Sequence, residues 1–139
     1  MYILFDGNGD EPEIEISDSP RGLIELGELC ISISEDLKLH AEKIKSEFYP
    51  ENLEGIFMKL SSIKNPEGLD LIKIHLNQRN LVFEGSKSAF HKLGMSLLNY
   101  FHENSRQPEH FHLDYVEGDC LLAPTNCHVI FLCRDPHIT

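Results

Sequence analysis

The segments Ile14 to Cys30 and Leu81 to Leu97 read as the same unit, offset by 67 residues. In each, a short apolar strand (Ile14, Ile16; Leu81, Phe83) runs into a serine, Ser19 or Ser86, and then into a helical pattern. The apolar positions of those helices are Leu23, Leu26 and Cys30 in one and Phe90, Leu93 and Leu97 in the other, with Leu26-Gly27 matching Leu93-Gly94. Only three of the seventeen aligned residues are identical, so the weight lies in the shared periods and not in sequence identity. A chain that repeats strand, strand, helix must bury two similar apolar faces, and that predicts an α+β architecture.

Around those units the rest of the chain reads as follows. Tyr2 to Phe5 and Pro12 to Ser17 form a hairpin about Asp6-Gly7-Asn8-Gly9-Asp10, with Ile14 and Ile16 facing inward and Glu13 and Glu15 outward. Ser19 caps the first helix with Pro20 at its first position. Leu37, Ala41, Ile44 and Phe48, spaced four, three and four, predict a further helix ending before Pro50. Ile56 to Ile63, Leu69 to Leu76 and Leu81 to Glu84 predict a three-strand meander, turning at Asn65-Pro66-Glu67-Gly68 and Gln78-Arg79. The second helix is expected from about Lys87 to Glu103, a polar break over Asn104 to Pro108 follows, and closing strands lie within 110–133. The expected whole is one domain over 1–139, with pseudo-repeat units at about 1–34 and 69–103. It holds an antiparallel sheet of about six strands with two or three helices on one face. Gly27 and Gly94 sit mid-helix, where glycine costs on the order of 1 kcal/mol relative to alanine, so they point to close backbone approach.

Charge limits the partners. Twelve basic residues face 23 acidic ones, for a net charge of -11. Such a field repels nucleic acid and anionic membrane, and it either steers toward a basic protein or simply confers solubility. The acidic runs Glu11, Glu13, Glu15 and Glu25, Glu28, Glu35, Asp36 read first as a solvated face, and Glu11, Glu13, Glu15, Asp114 and Glu117 are the expected contacts for a basic partner. No apolar run approaches the roughly 20 residues that span a bilayer, and no signal sequence opens the chain, so a cytoplasmic location is expected. Of the four cysteines, Cys30, Cys127 and Cys133 fall on apolar faces and Cys120 in a loop, which predicts free thiols.

One cluster carries chemistry. In a strand His110, His112 and Asp114 share a face, and two imidazoles with a carboxylate can ligate a transition metal if His75 or His128 adds a fourth donor. That is the alternative reading, a small metal-dependent enzyme. A solvated histidine face with no metal and no cofactor is the expectation, because His-x-His alone has little specificity. Asp6-x-Asn8-x-Asp10 opens like a calcium loop, but Glu11 stands where glycine is needed and Ser17 where a bidentate Glu belongs. No phosphate loop or nucleophile elbow is present.

The run Leu81-Val82-Phe83-Glu84-Gly85, the helix after it, His110-Phe111-His112-Leu113-Asp114-Tyr115 and the final strand Val129-Ile130-Phe131-Leu132 together resemble the small α+β immunity proteins of bacterial polymorphic toxin systems. Immunity protein family thirty-two is the nearest in pattern, over about residues 69–133. The resemblance implies neutralisation of a co-produced toxin by direct binding, without catalysis. A basic, nuclease-type toxin whose active site holds phosphates would suit the acidic surface.

Overall fold

A computed structural model describes residues 1–106 and 109–134. Gln107 and Pro108, from the expected polar break, lie outside the described residues. In chain order the strands are β1 (Tyr2–Phe5), β2 (Glu13–Asp18), β3 (Leu37–His40), β4 (Glu51–Asn52), β5 (Gly55–Leu60), β6 (Lys73–Asn77), β7 (Asn80–Gly85), β8 (His110–Leu113) and β9 (His128–Cys133). Helix α1 (Pro20–Ser32) follows β2, and α2 (Lys87–Tyr100) follows β7. The class is α+β, but the expected single antiparallel sheet is replaced by two mixed ones. Sheet A has the order β4-β1-β2-β9-β8 and sheet B the order β3-β5-β7-β6.

Both helices start as their residues dictate. Ser19 Oγ accepts from Gly22 N at 3.1 Å and Ser86 Oγ from Ala89 N at 3.2 Å, satisfying an amide that no helical carbonyl can reach. Pro20 sits in the first turn of α1, where a missing donor costs nothing. Leu23, Leu26 and Cys30 of α1 and Phe90, Leu93 and Leu97 of α2 are buried in one continuous core with Ile14, Ile16, Phe83, Val129 and Phe131. The helices pack on each other at their glycines: a Cβ on Gly94 would lie 2.6 Å from the Gly27 carbonyl oxygen.

The same order of hairpin, capped helix and a further pair of neighbouring strands occurs twice, with the two-residue β4 added between β3 and β5; β3 with β5 and β8 with β9 each join the other half's sheet, while β4 stays beside β1. β2 pairs in parallel with β9, Glu13 beside His128, while β7 pairs in parallel with β5, Asn80 beside Gly55. Glu13 and Asn80 are 67 residues apart and Gly55 and His128 are 73 apart, so the two parallel joints share one register. Arg134 N donates to Asp18 O at 2.7 Å and Ser61 N to Gly85 O at 2.9 Å at corresponding ends of those joints.

Two expectations fail. Residues 37–48 are not a helix: Leu37 and Leu39 alternate with Lys38 and His40 in β3, and pairing with β5 overrides the longer spacing. Phe48, the last supposed core position, is 84% exposed. The meander fails because β5 lies beside β7 and not β6. The turn at Asn65 to Gly68 does form, with Gly68 at φ +85°, but the chain after it bonds elsewhere. Leu71 N donates to Ile63 O, and Ile72 pairs through Leu121 O and Ala123 N, which holds 69–72 away from β5. Among the described residues no helix is long and apolar enough to cross a membrane.

Candidate functional site

The outward face of sheet A is set by strand alternation. With Ile14, Ile16, Val129 and Phe131 in the core, Glu13, Glu15, His128 and Ile130 point away from it. Register places Glu15 between Leu4 and Ile130, with His112 beyond, and Glu13 directly beside His128. Leu4 belongs to this outward side yet is only 1% exposed; beside it Asn52 of β4 holds the chain from Ile44 to Tyr49, which crosses to Glu13. That crossing is tied down at two points. The Asn52 side chain accepts from Ile44 N at 3.0 Å and donates to Ile44 O at 2.9 Å, and the Tyr49 hydroxyl donates to Glu13 Oε1 at 3.2 Å.

Between the crossing segment and β2 lies an open groove of about 450 Å³ lined by Asp6, Glu13, Glu15, Phe48 and Tyr49. Three carboxylates meet two aromatic rings there. Burial raises the Glu15 carboxyl above its ordinary value, the Arg134 guanidinium opposes that, and the neighbouring Glu13 charge adds to it. Burial together with the carboxylates of Glu13, Glu15 and Asp6 pushes the Tyr49 hydroxyl up to about 12. Tyr49 is therefore a fixed hydrogen-bond donor at neutral pH, not a titrating group.

Beside the groove, His128 bridges two carboxylates. Its Nε2 lies 2.9 Å from Glu11 Oε1 and its Nδ1 3.1 Å from Asp114 Oδ1. An imidazole donates from both nitrogens only when it is protonated. The Glu11 hydrogen bond is the largest influence raising the His128 pKa, partial burial opposes it, and Asp114 adds to it.

No family model matches this chain, and no similar curated protein or solved structure was found.

Of the expected contact residues, Glu11, Glu13, Glu15 and Asp114 lie on or beside this one face. Glu117 lies apart, lining a second groove of about 520 Å³ with Lys64, Leu71, Tyr115 and Pro124. The His110 and His112 rings stack edge to face with centroids 5.0 Å apart, and His112 Nδ1 is 3.9 Å from Asp114 Oδ2. Among the described residues no group of three or more His, Cys, Asp or Glu side chains is arranged to hold a metal ion. His75, one suggested fourth donor, is on sheet B with its Nε2 3.9 Å from Glu84 Oε1. His128, the other, is engaged by Glu11 and Asp114. Asp6, Phe48 and Tyr49 were not foreseen. The adjacent aromatics Phe48-Tyr49 before Pro50 were the available signal, hidden by assigning them to a helix.

Proposed function

We propose that this chain binds and neutralises a basic protein, in the manner of the toxin-immunity proteins it resembles, using the outer face of sheet A. One observation supports this above the others: the carboxylates of Asp6, Glu13 and Glu15 line a groove with the exposed Phe48 ring, and those of Glu11 and Asp114 sit at His128, beside Glu13 on the same sheet face. Carboxylates at a rim accelerate encounter with a cationic surface, and a desolvated aromatic at the centre supplies affinity. Phe48 is an apolar ring left in water by the free chain, so covering it is favourable whatever the partner's charge.

A nuclease-type toxin fits this division of labour, because a site that holds phosphates is cationic and a carboxylate face can occupy it. The test is co-expression with the product of the neighbouring gene. Cells carrying that toxin should survive with this protein and die without it. In a binding assay Glu13→Lys with Glu15→Lys should slow association, while Phe48→Ala should speed dissociation. Survival that is independent of this protein would refute the proposal.

A further inference from the structure

The two sheets are built alike and carry opposite charge on their outward faces. In sheet B, Ile56, Met58, Ile74, Leu81 and Phe83 are buried, so strand alternation turns Lys38, Phe57, Lys59, Lys73, His75, Val82 and Glu84 outward. Register sets Lys59 and Lys73 on either side of Glu84, and Lys38 beside Phe57. All three lysines are exposed. Among the described residues the Lys and Arg ion pairs involve Arg21, Lys64 and Arg79, and none of these three. Lys43, Lys45, Lys87 and Lys92 are also outside those pairs; what sets Lys38, Lys59 and Lys73 apart, in a chain with 23 acidic residues, is that they share one sheet face. The outward positions within the strands of sheet A carry Glu13 and Glu15 and no lysine or arginine, with His112, Leu132 and Tyr2 where sheet B has Lys38, Lys59 and Lys73; Arg134, just past β9, is the cation that acts on Glu15.

We propose that the outer face of sheet B receives the acidic outer face of sheet A from a second copy of this chain. The shared register of the two parallel joints gives the central strands of both faces the same order and spacing, so they match in width. The contact is heterologous, one face against a different one, and it propagates as a chain or closes as a ring. On sheet A the outward side of β1 is covered, with Leu4 only 1% exposed, so three strands about 4.8 Å apart and five residues of about 3.3 Å give a projected area of roughly 240 Å² per copy. Stable interfaces bury about 800 Å² per partner, so this association is weak and reversible.

Salt dependence gives it a signature. Two molecules of net charge -11 repel at long range, and near 0.01 M salt, where the screening length is about 30 Å, that repulsion dominates. Near 0.1 M the length is about 10 Å and only the facing charges act; near 1 M it is about 3 Å and their attraction is screened too. Association passes through a maximum at intermediate salt.

The test is sedimentation of the full chain at high concentration in 0.01, 0.1 and 1 M sodium chloride. The expected result is most association at 0.1 M. Glu13→Lys with Glu15→Lys should then weaken self-association about tenfold or more, although it reduces net repulsion, because both outward faces become basic. Lys38→Glu with Lys59→Glu and Lys73→Glu should do the same by making both acidic. Each Glu→Lys raises the net charge by two and each Lys→Glu lowers it by two, so from -11 the variants carry -7 and -17. Their mutual repulsion is nearly that of two wild-type chains, and an equimolar mixture should regain the wild-type association. A chain that stays monomeric at all three salts, or a mixture that fails to associate, would overturn the proposal. So would a single-stranded oligonucleotide that binds the wild type and not the lysine variant, which would give this face to nucleic acid. The inference does not rest on the toxin-neutralising reading, and its test uses no partner protein, so either can fail alone.

Discussion

Gly94 and Gly27 meet where α1 packs on α2, and they differ in what they exclude. A Cβ at Gly94 would stand 2.6 Å from the Gly27 carbonyl oxygen and 2.7 Å from Ile31 Cγ1, whereas one at Gly27 would meet the movable Leu98 side chain at 3.1 Å and the Gly94 carbonyl oxygen at 3.2 Å, a smaller overlap. Alanine gains about 1 kcal/mol of helix propensity at either site. At Gly94 that gain is outweighed by overpacking of about 1 to 3 kcal/mol. Gly94→Ala should therefore destabilise in a denaturant melt while Gly27→Ala stays within about 1 kcal/mol of wild type; equal effects would disprove the asymmetry. His128 gives the pH-dependent counterpart. Its folded pKa is raised, so the stabilisation from Glu11 and Asp114 is complete below about 6.5, the unfolded value, and fades as pH rises through the folded one. The imidazole is 42% exposed, so the effect is no more than about 1 kcal/mol. Nuclear magnetic resonance titration should find the His128 pKa lowered more by Glu11→Gln than by Asp114→Asn, and an unchanged value in Glu11→Gln would refute the assignment. At this scale much was legible: serine caps, mid-helix glycines and outward glutamates are each declared by local rules. The His128 bridge was not, because its partners are 117 and 14 residues away.

The crossing segment from Ile44 to Tyr49 is the element that turns an ordinary sheet face into a groove, and Asn52 holds it. The amide mimics a backbone edge, accepting from Ile44 N and donating to Ile44 O. Asn52→Asp keeps the acceptor but sets a carboxylate oxygen against the Ile44 carbonyl. The expected cost is about 1 to 3 kcal/mol, with faster hydrogen exchange over residues 41–50 than over β2. Uniform exchange across both would show that the amide does not restrain the crossing. The sequence misread this region for a physical reason. Leu37, Ala41, Ile44 and Phe48 satisfy a helical period and Leu37 and Leu39 a strand period, and only pairing with β5, some twenty residues later, decides between them. Strand membership was legible for β2, β5 and β7, whose apolar alternation is strong. Their partners were not, since alternation marks a buried face and says nothing of which neighbour, or which direction, completes the ladder.

At the scale of the molecule, the exchange of strands makes the two halves depend on each other. Sheet A takes β1 and β2 from the first half and β8 and β9 from the second; sheet B takes β3 and β5 from the first and β6 and β7 from the second. Each helix also rests on the other at Gly27 and Gly94. Neither half can close a sheet alone: a fragment ending at the Asn65 to Gly68 turn would leave β2 and β5 each without its parallel partner, exposing unpaired edges and buried residues such as Ile14, Ile16, Ile56 and Met58. That turn is a tolerant place to cut, because Pro66, Glu67 and Gly68 are exposed and its hydrogen bonds are local. A chain split there should give two fragments that are each unfolded by circular dichroism and nuclear magnetic resonance. Mixed at equal concentration, they should recover the helical signal and a single cooperative transition. The reassembled protein melts lower at higher dilution, since joining two fragments has a concentration-dependent cost that one chain does not have. If either fragment alone folds with a cooperative melt, the halves are independent units, and the exchanged strands do not bind the fold together.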